Sequence, residues 1–492
     1  MSTRTKQITH ILFSAFPGWG HIRPFCIFAA RLVKENENVV VTLLLTPNLL
    51  KKAQYEISAE FNGEVSDASR ERIRAFSSFQ SDSDDPFVVF PSLVETYPAI
   101  YQSLSQGKPI SCSLTGAKFE AVPAPSVLIL DLVAYPLIEA TRSITGKSIP
   151  IISWITGHVS SAMQLFASDL ESDANKHYGT TDGKVVKVPG LPDMYDYEFF
   201  PQEVPFEIDV SVIVKMCDAA FVTSGYAAEE IAIDAFRSWL SERNQSCYVI
   251  GPLVPPEYVH ARSGATGSAE SEEFLNKIIE KHGEKSVVLL SFGTVFWPKY
   301  QGYIDEVIEG LIEKNFPFII CYASPFANIS DELILKINNS GIGLVSKWVP
   351  QQYILNHPAT GWFITHCGHN SVMEGLGSGV PMICWPFEAD QPAAAAHLSV
   401  NLKVAFELIE VRTGERGLKP LLRSGRMAQG TREAVGSEIR EVIDACRGAK
   451  GKELRSNVEN IKAKLDHAWQ ANGSSRTELR AFCEKYSLDI CS

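Results

Sequence analysis

The sequence predicts an α/β protein made of two parallel-sheet domains that face each other across a cleft. Three observations carry this. The chain has 492 residues with 45% hydrophobic content, more than one core accommodates, so two domains are expected. Short apolar runs alternate with segments of helical spacing, the order that builds a doubly wound parallel sheet. The alternation breaks once, at residues 255–273 (PPEYVHARSGATGSAESEE), a stretch rich in Pro, Gly, Ser, Ala and Glu, and then restarts. Such a stretch reads as a surface linker. The expected division is a first domain over 1–255, a linker over 256–273 and a second domain over 274–470. Residues 471–492 are expected to pack back on the first domain.

The first domain opens as a βαβ unit. Ile8 to Ser14 reads as a strand, residues 15–20 (AFPGWG) as a turn, and His21 to Glu35 as a helix with Ile22, Phe25, Phe28, Ala29 and Leu32 on one side. Pro24 fits there because a first helical turn needs no internal N–H bonds. Val39 to Leu45 is a continuous β-branched and leucine run, as in a strand buried on both faces. The pattern recurs with a strand over 126–131 (SVLILD), a helix over 134–145, a strand over 149–154, and strands over 219–223 and 247–250. After the break come a strand over 287–291, a helix over 300–314, a strand over 318–322, a strand–turn–helix over 361–376 and a strand over 380–385. Residues 431–468 are charged and helical.

Composition narrows the function. The net charge of −12 argues against nucleic acid and anionic membranes as partners. Ten cysteines are scattered with no CxxC, and no run approaches the ~20 apolar residues of a membrane span. The first residues, MSTRTKQITH, lack an apolar signal core. A reduced, cytoplasmic protein without a membrane span is expected.

The densest motif is residues 348–391, WVPQQYILNHPATGWFITHCGHNSVMEGLGSGVPMICWPFEADQ. A strand ending at Thr365 runs through His366-Cys367-Gly368-His369 into a helix. Free N–H groups and the dipole at such a helix start favour an anion. His366, Asn370 and Ser371 add side-chain donors, which suits a diphosphate. Glu374, one turn on, is placed to accept from ribose hydroxyls. Asp390 and Gln391 follow the next strand at the carboxyl edge of the sheet, where ligands of such folds bind. The His366–His369 spacing also invites a metal, but no second ligand pair accompanies it.

This segment resembles the signature box of the family-1 UDP-glycosyltransferases, best known from plant secondary metabolism. Trp348, Pro350-Gln351, Leu355, His357, Phe363, Thr365-His366-Cys367-Gly368, Asn370-Ser371, Glu374, Gly379-Val380-Pro381, Pro386 and Asp390-Gln391 stand at that family's spacing. The resemblance implies a GT-B type fold of two Rossmann-like domains and an inverting hexosyltransferase. Trp348 then stacks on uracil while the Val349 main chain bonds its edge. Gln351 and Glu374 hold the ribose. Thr294, His366, Asn370, Ser371 and the N–H groups near Gly368 hold the diphosphate, and Asp390 and Gln391 hold the sugar. No metal or other cofactor is expected. Plant members usually carry Trp at the position of His369, a departure close to the sugar that bears on donor choice. Gln391 is usually associated with glucose, so UDP-glucose is the expected donor.

His21 is the candidate general base. A histidine at a helix start is expected to have its pKa lowered by the dipole, leaving neutral imidazole to take a proton. Gly20-His21-Ile22-Arg23-Pro24 also matches the context of the family's catalytic histidine. Similar strands in the family carry an aspartate that orients the base, which points to Asp131 at the end of 126–131. The acceptor is expected to be a small lipophilic or phenolic molecule. Trp154, His158 and Phe166, after the strand over 149–154, are candidate acceptor contacts. Phe76, Phe79, Phe87, Phe90, Tyr97 and Tyr101 read as core in preference to pocket. Two other classes fit the sequence less well. A nicotinamide-dependent oxidoreductase lacks support, since the first turn has no G-x-G-x-x-G. A UDP-sugar-binding protein without catalysis leaves His21 and Asp131 without a task.

Overall fold

A computed structural model describes residues 8–61, 67–166, 183–203, 216–254, 268–486 and 488. Two parallel sheets organise it. The first has seven strands in the order Ser246–Val249, Ala219–Val222, Ile151–Ile155, Val127–Asp131, Thr9–Ser14, Val39–Leu44, Ile73–Phe76. The second has six, in the order Gly343–Ser346, Phe318–Cys321, Val287–Ser291, Thr360–Thr365, Met382–Cys384, Ala405–Glu407. In each, the first strand of its half lies at the centre and the order reverses beside it, which is the doubly wound arrangement of GT-B proteins.

The sequence explains why these strands are interior. Val39–Leu44 and Thr360–Thr365 are buried at every residue, as continuous apolar runs in a parallel sheet must be when helices cover both faces. One core surrounds the first sheet, with Phe13, Phe25, Phe28, Trp154 and Phe221 all wholly buried. The second sheet has a core on each face, one around Leu289 and Phe363 and the other around Leu290 and Ile364.

Two expectations change. The first helix is Trp19–Glu35, starting two residues earlier than its apolar stripe indicates, because Gly18 takes the extended N-cap position. Pro24 is therefore inside the helix, beyond the first turn. Its missing N–H leaves the Gly20 carbonyl without the helical bond it otherwise receives. The second change concerns the linker: residues 268–273 are helical, within Ser268–His282. Ser271, Leu275 and Ile278 are buried at helical spacing and anchor that helix; residues 256–267 lie outside the described residues.

The charged stretch 431–468 forms two helices, Arg432–Arg447 and Ala449–Asp466. The first packs on Gln301–Glu313, and the second on His369–Ser378 and on Tyr226–Ser241. A last helix, Ser474–Lys485, lies against the strand Ser246–Val249, with the Phe482 ring 4.7 Å from Phe221. Among the described residues, no helix is long and apolar enough to cross a membrane.

Candidate active site in the cleft between the sheets

The carboxyl ends of both sheets open into one cleft of about 1050 Å³. His21, Asp131, Thr294, Trp348, Val349, Gln351, His366, Gly368, His369, Asn370, Ser371, Glu374, Asp390 and Gln391 all line it. Each set comes from the switch point of its own sheet. His21 follows Thr9–Ser14 and Asp131 ends Val127–Asp131, adjacent central strands. Thr294 follows Val287–Ser291 and His366 follows Thr360–Thr365, again adjacent and central.

In the first domain, His21 Nδ1 lies 2.6 Å from Asp131 Oδ2. Asp131 is 1% exposed. Its carboxylate also accepts the main-chain N–H of Phe16 at 3.2 Å and of Val133 at 3.1 Å. These bonds fix its orientation, so Nδ1 carries the proton and Nε2 is left with a lone pair. The Thr156 hydroxyl also lies 3.0 Å from Nδ1. The expected lowering of the His21 pKa is reversed: burial does disfavour the cation, but the Asp131 carboxylate, seconded by Asp390, outweighs it and raises the pKa. A full charge in contact prevails over the partial charge of a helix end.

In the second domain, the strand-to-helix turn is tight. Cys367 adopts a left-handed φ of 67°, a conformation that costs a non-glycine residue about 1 kcal/mol or more. It turns the chain between Thr365 and the helix His369–Ser378. That helix begins at Gly368 with no side-chain cap, so its first N–H groups face the cleft as an anion site. A Cβ at Gly368 would stand 2.4 Å from His366 Nε2, and one at Gly293 (φ +74°) would stand 2.8 Å from it. Both glycines thus allow main chain to close on His366. Burial lowers the His366 pKa to about 4, despite a bond to the Ser291 main chain; the ring is neutral, and its Nδ1 has no hydrogen-bond partner among the described residues.

The remaining groups form a connected wall. Gln351 donates to Ser371 Oγ at 3.3 Å and to Glu374 Oε2 at 2.7 Å, and Gln352 donates to Glu374 Oε1 at 3.0 Å. Gln391 Oε1 accepts from Phe387 N at 2.9 Å, which leaves its amide group as the donor. Asp390 Oδ2 accepts from His158 N at 3.3 Å. His369 is 3% exposed and its Nε2 faces the Thr223 hydroxyl at 3.0 Å. Burial lowers its pKa to about 3.

Several contacts cross the cleft. Asn370 donates to the Gly20 carbonyl that Pro24 leaves free. Arg23 pairs with Glu374 as well as with Glu56. The Lys52 ammonium stands 3.4 Å from the Trp348 ring centre and 4.3 Å from that of Trp19, a cation between two indoles.

The candidate acceptor residues divide. Trp154 is among the residues at the edge of the cleft, but it is wholly buried and stacks on Phe25 at 4.4 Å, so most of its ring packs in the core. His158 also lines the cleft but is buried, with its ring beside Glu229 and His369. The Phe166 side chain lies outside the described residues. Of the aromatic run, Phe76, Tyr97 and Tyr101 are core as expected. Phe87 and Phe90 are not: they line the cleft, packed around Phe16 at 5.7 and 5.2 Å. The Phe16 ring in turn meets His21 edge-on at 5.6 Å. Phe16, Phe87 and Phe90 thus form an apolar wall beside the imidazole that sequence reasoning missed. The available signal was the helix Pro86–Ser105, whose buried side is Val89, Leu93, Tyr97, Tyr101 and Leu104 and leaves Phe87 and Phe90 off it.

Comparison with known proteins agrees with this geometry. Residues 247–418 match the family described as UDP-glucoronosyl and UDP-glucosyl transferase. The chain is 28% identical to UDP-glycosyltransferase eriJ of Hericium erinaceus, over 98% of this chain and 99% of that protein. Among solved structures, a ugt transferase from Siraitia grosvenorii in complex with UDP superposes with a TM-score of 0.73 at 21% identity, covering 97% of this chain and 100% of that one. Phytolacca americana UGT2, complexed with UDP-2fluoro-glucose and pterostilbene, superposes with a TM-score of 0.71 at 20% identity over the same shares. With two doubly wound sheets, a shared cleft and the signature box in place along its second wall, the chain is a glycosyltransferase enzyme, similar over nearly its whole length to UDP-glycosyltransferases.

Proposed function

We propose that the protein transfers glucose from UDP-glucose to a hydroxyl of a small, largely apolar acceptor, by direct displacement with inversion at the anomeric carbon. The observation that carries this reading is the 2.6 Å pairing of His21 Nδ1 with Asp131 Oδ2 in a cleft whose other wall is the uncapped helix start at Gly368.

The acceptor lies against Phe16, Phe87 and Phe90, which present apolar surface beside the imidazole. Its hydroxyl gives its proton to His21 Nε2 as the oxygen attacks the anomeric carbon. Asp131 stabilises the imidazolium that results. The bond from the anomeric carbon to the diphosphate breaks, and UDP leaves with the electron pair. The N–H groups at the start of His369–Ser378, with Thr294, His366, Asn370 and Ser371, receive the charge that develops there. Trp348 and the Val349 main chain take the uracil, Gln351 and Glu374 the ribose, and Asp390 and Gln391 the glucose hydroxyls, with His369 behind the sugar. This reading uses no metal. The Phytolacca americana neighbour, with UDP-2fluoro-glucose and pterostilbene together, supports this pairing of donor and acceptor.

Incubation with UDP-glucose and pterostilbene, followed by mass spectrometry and NMR of the product, tests this. A β-glucoside is expected from the α-linked donor. An α-glucoside, or hydrolysis of UDP-glucose without transfer, would contradict it.

A further inference from the structure

The turn over residues 156–160 touches both halves of the site. Thr156 Oγ1 lies 3.0 Å from His21 Nδ1. A Cβ at Gly157 would stand 3.6 Å from Asp390 Oδ2, and the His158 N–H donates to that same oxygen at 3.3 Å. The base and the carboxylate opposite it therefore share one short stretch of main chain.

Glu229 holds that stretch. Its carboxylate is buried and accepts Val159 N at 3.2 Å and Ser160 N at 3.3 Å, with Ser160 Oγ at 3.4 Å. His158 Nδ1 lies 3.4 Å from its Oε2. The helix that carries it, Tyr226–Ser241, leaves helical dihedrals at Glu229 itself (φ −141°, ψ 39°). An uncharged cap suffices for the Val159 and Ser160 N–H groups. A cap does not require a buried carboxylate with an imidazole partner, an arrangement that persists only when the charges match. Burial opposes both charges, yet each partner favours the charged form of the other: the His158 pKa is raised and that of Glu229 lowered.

With His369, these side chains bring ligand atoms within 4.8 Å of one another. The His158–Glu229 pair among them is already satisfied as an ion pair at 3.4 Å. The Thr223 hydroxyl already occupies His369 Nε2. A charge clamp needs no closer approach.

We propose that Glu229, through His158, is a positioning residue for sugar transfer: it locks the 156–160 turn so that the His158 N–H holds Asp390 while Thr156 stays against His21. The inference rests on the roles of His21 and Asp390 given above. UDP has no sugar and so makes no use of Asp390; UDP-glucose does. The test compares wild type, Glu229→Gln, Glu229→Ala and His158→Gln, which keeps the main-chain N–H. Measured are UDP and UDP-glucose affinities by calorimetry, kcat, acceptor KM and thermal midpoint.

The Glu229 variants are expected to bind UDP within about twofold of wild type. Their UDP-glucose to UDP affinity ratio and kcat should each fall by about 10–100-fold, the range for partners that orient a functional group, with Gln milder than Ala and His158→Gln in the same direction. A folded Glu229 variant with wild-type kcat and affinity ratio overturns the inference, even if its midpoint falls. If neither Glu229 variant folds, wild-type values in His158→Gln overturn it. Wild-type protein that binds UDP without transferring glucose overturns the underlying reading, and this inference with it.

Discussion

His21 Nδ1 stands 2.6 Å from Asp131 Oδ2, and this pairing raises the imidazole pKa although burial opposes it. A base acts when deprotonated. Activity of the wild type should therefore rise with pH through a pKa above the ordinary imidazole value of about 6.5. Asp131→Asn removes the charge that favours the imidazolium, so the same limb should move to lower pH. The plateau should fall by about 10²–10³-fold, since the imidazolium formed in the transition state loses its partner. A kcat/KM profile that does not move in Asp131→Asn would contradict this.

Lys52 places its ammonium 3.4 Å from the Trp348 ring centre, on the aromatic surface that the uracil is proposed to use. Burial lowers its pKa to about 7, so the charge is held at a cost. Trp348→Ala should weaken UDP binding by about 10-fold or more, in line with about 1–3 kcal/mol for base–aromatic stacking. Lys52→Met, which frees the ring, should tighten UDP binding a few-fold. Weaker binding in Lys52→Met would mean that the ammonium contacts the nucleotide instead of competing with it. Titration calorimetry reads both.

Phe87 is 44% exposed, and Phe90 packs on Phe16 beside His21. Phe90→Ala should raise acceptor KM by about 10-fold for an apolar phenol, the loss of about 1–2 kcal/mol of apolar contact. The donor KM should stay within about twofold. Phe87→Ala should act in the same direction with a smaller change in thermal midpoint than a core substitution, because Phe87 is 44% exposed. Equal effects on donor and acceptor KM would contradict a wall that faces only the acceptor.

The site proposed for the diphosphate consists of helix N–H groups and neutral side chains around Gly368. Prolonged treatment with EDTA should leave kcat within about twofold of the untreated enzyme. A loss restored by magnesium or manganese would show that the leaving-group charge is handled by an ion.

What was legible in the sequence follows the range over which each feature is encoded. Parallel strands are written locally, as in Val39–Leu44, and so is the run of cleft-lining residues proposed to hold the donor, most of which lie within 348–391. The start of the first helix was misplaced because Gly18 and Gly20 look like turn residues, whereas Gly18 caps the helix and Gly20 lies within it. The His21 pKa direction could not come from local rules, since Asp131 reaches it from another strand. The same holds for Glu229, an ordinary helical glutamate in sequence whose task appears only when the 156–160 turn is placed against it. Phe87 and Phe90 resembled Tyr97 and Tyr101 until the helix Pro86–Ser105 was oriented, with the tyrosines in the core and the phenylalanines at the cleft.

The most direct measurement is UDP affinity and glucosyl transfer in His21→Ala, side by side with wild type. UDP binding within about twofold of wild type, with transfer reduced by about 10³-fold or more, is the expected result for a general base that takes no part in holding the donor. Transfer retained near the wild-type rate would contradict it and leave the His21–Asp131 pair as a structural contact at the start of the first helix.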